Sequence, residues 1–98
     1  MDLRTYCHNT LIEENPFVLC RDVSQRFVVY EEVADRIAFE LLDCFESGDR
    51  PDVETIVRSC LISEYGDDLD HGKVNRVVVR LKASVLAQRG ETKEGFND

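Results

Sequence analysis

From Lys73 to Arg89 the chain carries five basic residues and no acid, and its apolar residues return every three to four positions. At about 100° per residue, Val74, Val77, Val78, Leu81 and Val85 share one side of a helix. Lys73, Arg76 and Arg80 fall together on roughly the opposite side. Such a segment folds only if other elements cover its valine-rich stripe. Val79 and Leu86 lie off that stripe, where a helix that merely filled a core has little use for them. They mark either a second, mixed apolar and basic face for a ligand, or contact with a neighbouring element or a dimer mate. Single exposed apolar residues are ordinary on protein surfaces, so both readings stay open.

A chain of 98 residues supports one hydrophobic core and one domain. No deep cleft between domains is expected. No apolar run approaches the ~18 residues of a membrane span, and Met-Asp-Leu-Arg-Thr-Tyr has no hydrophobic signal core, which reads as a cytoplasmic protein. Cys7, Cys20, Cys44 and Cys60 form no C-x-x-C pair. Cys44 and Cys60 occupy core-facing positions of apparent helices, so reduced structural thiols are expected. Serine at Cys44 or Cys60 should cost stability, whereas serine at Cys7 or Cys20 should leave ligand binding nearly intact. The net charge of -8 opposes tight nonspecific nucleic-acid binding, which needs many cations to neutralise phosphates.

Asn15-Pro16 marks a turn, and Phe17-Val-Leu-Cys-Arg21 reads as a short strand. Asp22-Val-Ser-Gln25 supplies a polar turn before Arg26-Phe-Val-Val-Tyr30, whose β-branched and aromatic run predicts the second arm of a hairpin. A further strand around Thr10-Leu-Ile-Glu13 is weakly signalled. From Glu32 the period changes: Ala34, Ile37, Ala38, Leu41, Leu42 and Phe45 predict a helix that Gly48 closes. Asp52 is a suitable N-cap for a second helix, with Val53, Ile56, Val57, Cys60, Leu61 and Tyr65 as its stripe. An acidic loop, Gly66 to Gly72, precedes the third helix, which opens at Lys73 and fades near Gly90. The expected fold is α+β and winged-helix-like: an N-terminal β-hairpin or three-stranded sheet, then three helices.

The stretch Val18 to Ile37 resembles the opening of the PqqD-like family, in which a hairpin leads into a Leu-Asn-Glu-x-Ala-x-x-Ile helix start. Asp52 to Gly66 is similar to that family's second helix, and Val74-x-x-Val77-Val78-x-x-Leu81 to its third. Tyr30-Glu31-Glu32 departs from the Leu-Asn-Glu pattern, and the connection from Glu46 to Asp52 is longer than usual. The polar composition of 91–98 reads as a flexible tail, and the resemblance implies a single winged-helix domain over residues 1–90. It also implies a peptide chaperone for ribosomally made, post-translationally modified peptides. Such a protein binds the leader of a precursor peptide and presents it to a modifying enzyme, a radical S-adenosylmethionine protein or a leader peptidase.

An exposed strand can accept a peptide as a further strand. With a period of two, Phe27 and Val29 separate from Val28 and Tyr30. The expected peptide site is therefore Arg26, Phe27, Val28, Val29 and Tyr30 on the hairpin, with Lys73, Arg76, Val79 and Arg80 across the groove. In that site Arg76 and Arg80 pair with acidic leader residues, and Val79 supplies apolar contact.

The alternative is a DNA-binding winged helix of the OmpR type, in which Val74 to Lys82 would enter the major groove. The chain stops before a C-terminal hairpin that would form the wing, and its overall charge is of the wrong sign. Neither His8 nor His71 has a Cys or His at metal-ligand spacing. Asp67-Asp68-x-Asp70 lacks the bidentate Glu of a calcium loop. No Gly-rich phosphate loop or nucleophile motif is present, so no catalytic residue, metal site or cofactor is assigned, and the oligomeric state is left as monomer or homodimer.

Overall fold

A computed structural model describes residues 2–48 and 50–97, with side chains as far as residue 87. The described residues form four helices, α1 Leu3–Glu14, α2 Arg26–Ser47, α3 Val53–Tyr65 and α4 His71–Asn97, with a 3-10 turn at Val23–Gln25 before α2. Around the bundle α1 packs on α2 and α4, and α3 packs on the same two helices. Among the described residues α2 and α4 are not neighbours, and neither are α1 and α3.

Each early helix carries its own stop and start signals. The Asp2 carboxylate accepts from the Thr5 amide at 2.7 Å and caps α1. Leu3, Cys7 and Leu11, four residues apart, form its buried stripe. Asn15 adopts φ 51, donates its amide to the Leu11 carbonyl, and hands the chain to Pro16, which cannot continue the hydrogen-bond ladder. At the end of α2, Gly48 takes the left-handed conformation (φ 80) and donates to the carbonyls of Cys44 and Phe45. Asp52 caps α3 by accepting from the Thr55 hydroxyl and amide. Those two contacts hold its carboxyl below the ordinary range, the hydroxyl contributing more.

The expected α+β winged helix is not what forms. Among the described residues no strand or sheet occurs; the nearest approach is a lone bridge between Phe17 and Leu69. Thr10 to Glu13 is the last part of α1, and Arg26 to Tyr30 is the first part of α2. The PqqD-like resemblance required a sheet, as did the OmpR-type alternative, and both fold assignments fall with it. The physical reason is burial. Tyr30, Val33, Ala34, Ile37, Ala38 and Leu41 are all buried and recur at helical spacing. The stripe that predicted a helix from Glu32 therefore already includes Tyr30. Tertiary burial of a continuous face outweighs the ~1 kcal/mol range of β-propensity in Phe27-Val-Val-Tyr30.

Tyr30 fastens three segments at once. Its hydroxyl donates to Asn15 Oδ1 at 2.6 Å and accepts from the Phe17 amide at 2.9 Å, so the end of α1 and the following linker are both tied to α2. Tyr65 lies edge-on to the Tyr30 ring and stacks on Phe17, while its hydroxyl donates to the Val29 carbonyl at 2.7 Å. Two further bonds, Val18 N to Asp68 O and Asp70 N to Pro16 O, lay the linker against the α3–α4 connection. That pairing is the one extended feature of the predicted strand at Phe17 that survives.

Helix α4 opens at His71, two residues before the expected start, with Asp70 Oδ1 accepting from the Lys73 amide. It continues through Gly90 to Asn97 rather than fading there. The side chains of the predicted tail lie outside the described residues. No helix among the described residues is long and apolar enough to cross a membrane.

Candidate functional site

The outward face of α4 is where sequence and structure agree on something unspent. Val74, Val77, Val78, Leu81 and Val85 are buried as their spacing predicts, while Val79 and Leu86 are 64% and 65% exposed. Neither meets a neighbouring helix closely enough to be covered, which removes one of the two readings of these residues within the monomer. Val79 borders a shallow groove of about 320 Å³ whose other walls are Glu14, Asn75, Arg76 and Arg80.

The cations beside this groove are not free. Arg76 Nε donates to Glu14 Oε1 at 3.0 Å, and Arg80 donates to Glu14 Oε2 at 3.2 Å and Glu13 Oε1 at 2.7 Å. The Glu13 and Glu14 contacts, Glu13 first, hold the Arg80 guanidinium even more firmly in its charged form. Tyr6 donates its hydroxyl to the Arg80 carbonyl at 3.3 Å, so α1 clamps α4 by three side chains. On the groove's far side Asn75 accepts from Arg58, itself paired with Glu54 at 2.9 Å. Lys73 is half-buried, and Arg80 flanks the core stripe rather than standing opposite it.

The predicted hairpin half of the site is elsewhere. Arg26 donates to the Ile12 carbonyl at 3.1 Å, Tyr30 is fully buried, and Val29 is half-buried against the core. Phe27 and Val28 point outward, 58% and 70% exposed, with the Phe27 ring edge-on to His8 at 4.5 Å. The in-and-out order has the helical period, not a period of two. Because α2 and α4 stand across the bundle from each other, Arg26 to Tyr30 and Lys73 to Arg80 do not line a common groove. The backbone of Arg26 to Tyr30 is helical, and offers no strand edge for a leader to join.

Two features escaped the sequence reading. Glu13 ends the weakly signalled strand and Glu14 follows it, although a carboxylate pair beside Asn15-Pro16 is also what the end of a helix can carry. Leu42, placed in the core stripe, is 45% exposed, and beside it Phe39 is 70% exposed. On a helical projection Leu42 lies about 100° from Leu41, which is the signal that separates them.

The cysteines are ordered differently from expectation. Cys7, Cys20 and Cys60 are buried and Cys44 is only partly so, so Cys7→Ser threatens the core more than Cys44→Ser does. Burial pushes the Cys7 thiol up to about 12 and, with Glu40 beside it, the Cys60 thiol up to about 11. Both are protonated at neutral pH and are poor nucleophiles. His8 is buried, and its Nε2 donates to the Phe27 carbonyl at 2.7 Å, a structural tie between α1 and α2. Among the described residues no cluster of His, Cys, Asp or Glu has the geometry to hold a metal ion.

No protein-family model, curated protein or solved structure matches this chain.

Proposed function

We propose that the chain is a peptide-docking module without chemistry of its own, and that its docking face is the outer side of α4. The observation that carries this reading is the pair Val79 and Leu86, both about two-thirds exposed on a helix segment that has five cations and no acid. Seven residues apart, they lie ~10 Å along the same side of the helix, the spacing at which an amphipathic helix offers two anchors to a partner helix. The flanking Arg76, Arg80 and Lys82 favour an occupant that carries carboxylates beside its apolar side chains.

Leader recognition by strand addition had its support in the winged-helix resemblance, and that support is gone. Peptide recognition through a helix face needs no sheet. A leader segment of amphipathic, acidic character remains one occupant of the right chemistry, and a modifying enzyme one destination. Four free cysteines suit work in the reducing cytoplasm. Exposed ion pairs each contribute less than ~1 kcal/mol, so apolar contact sets most of the affinity and the cations set register and on-rate.

The test is a titration of isotopically labelled protein with a synthetic acidic amphipathic helix bearing leucine anchors. Amide shifts should concentrate on residues 75–86 and vanish in Val79→Asp, whose carboxylate leaves the core stripe untouched. Arg76→Ala and Arg80→Ala should weaken binding modestly, mainly at low salt. Shifts centred elsewhere, or arginine losses exceeding the valine loss together with steeply salt-dependent duplex DNA binding, would overturn it.

A further inference from the structure

The partner chemistry just described is present in the molecule itself. On α2, Phe39 and Leu42 are 70% and 45% exposed, three residues apart and therefore neighbours on the helix surface. Asp43 and Glu46 are exposed within about a turn of Leu42, Glu32 is exposed two turns before Phe39, and none of the three is ion-paired among the described residues. Asp35, one turn before Phe39, and Glu31 are already engaged by Arg4. Arg36, exposed one turn before Phe39, donates to Ser63; the acids outnumber it, and the outer face of α2 is a net-acidic amphipathic surface with two apolar anchors. The outer face of α4 is its counterpart, with Val79 and Leu86 as anchors, exposed Lys82 beside them, and Arg76 and Arg80 shared with Glu14 and Glu13. The two faces cannot meet within one molecule, because α2 and α4 occupy diagonal positions.

We propose that α4 of one copy receives the outer face of α2 of a second copy. This inference rests on the docking role of α4 given above and names its occupant. A contact between two different faces is heterologous, and it leaves one α2 face and one α4 face unused at the ends of every assembly. Growth then continues head to tail instead of stopping at a two-fold dimer, unless the rotation closes a ring. Two chains of charge -8 repel at long range. At ~0.1 M salt that repulsion is screened beyond ~10 Å, while carboxylate and cation in contact are screened much less. Assembly is therefore strongest near that ionic strength and weakens in high salt.

Sedimentation velocity of the full chain over a wide concentration range reads this directly. The weight-average mass should rise with concentration past that of a dimer. Phe39→Asp and Val79→Asp change exposed positions, so each should stay folded by circular dichroism and sediment as a monomer. Mixed together, the two variants should form a one-to-one pair that grows no further, since only one complementary contact can be made. Leu86→Asp repeats the test on the same face if Val79→Asp does not fold. A wild-type chain that is monomeric throughout, or a Phe39→Asp variant that still dimerises, would overturn the proposal. If the chain is monomeric but the synthetic acidic helix still shifts residues 75–86, the second copy is wrong and the docking face stands. If both experiments are blank, the docking face falls too.

Discussion

At the scale of single residues, Tyr30 shows why the N-terminal third is helical and why the sequence concealed it. Aromatic and β-branched neighbours give Phe27-Val-Val-Tyr30 the look of a strand. The ring itself is wholly buried, and its hydroxyl serves Asn15 and Phe17, partners that no periodicity reveals. Burial, partly offset by the Phe17 amide, pushes the phenol up to about 12. The sign follows from the raised value. Stability tied to the neutral phenol is fully present below its unfolded value of ~10 and is lost as pH rises through about 12. Tyr30→Phe should cost ~1–3 kcal/mol at neutral pH by stranding the Phe17 N–H and the Asn15 carbonyl, and it should make the alkaline fall in stability shallower. Denaturant midpoints measured from pH 7 to pH 12 check both. An unchanged midpoint at pH 7 would mean that the hydroxyl does not hold the linker.

At the scale of elements, legibility tracked how local the deciding interaction was. The Gly48 close of α2 and the Asp52 cap of α3 are settled within one helical turn, and the sequence displayed both. The buried faces of α3 and of the first half of α4 were equally plain, because valine and isoleucine recur there at a single period. Helix α1 was not legible: Leu3, Cys7 and Leu11 are a thin stripe among polar residues, and its stability comes from packing on α2 and α4. Without α1 to cover it, the apolar start of α2 has no visible partner in the sequence, and its β-branched and aromatic run predicts a strand. The local claim can be tested at Gly48. Its φ of 80 is strained for any residue with a side chain, and a Cβ built there meets nothing within 4 Å. Gly48→Ala should therefore destabilise through backbone strain alone, by ~1 kcal/mol, with the helical circular dichroism unchanged. A loss several times larger would show that the α2–α3 connection carries contacts beyond its cap.

At the scale of the whole molecule, the basic character of α4 was legible in sequence but its neutralisation was not, because Glu13 and Glu14 lie more than sixty residues away along the chain. The fold brings α1 alongside α4 and spends two carboxylates on Arg76 and Arg80. An acidic partner must therefore share those arginines with Glu13 and Glu14. This arrangement predicts opposite signs for stability and binding. Replacing Glu13 and Glu14 with glutamine keeps the shape of the groove and removes two negative charges from its wall. The bundle should lose up to ~1 kcal/mol, the usual worth of partly exposed ion pairs. Affinity for the synthetic acidic helix should rise several-fold, mainly through a faster association rate that high salt abolishes. Stopped-flow association at low and high salt, alongside a denaturant melt, measures the two signs in one preparation. If the double glutamine variant binds the acidic helix more weakly than the wild type, Glu13 and Glu14 contact the occupant directly, and the carboxylate-bearing partner inferred from Arg76, Arg80 and Lys82 is the wrong one.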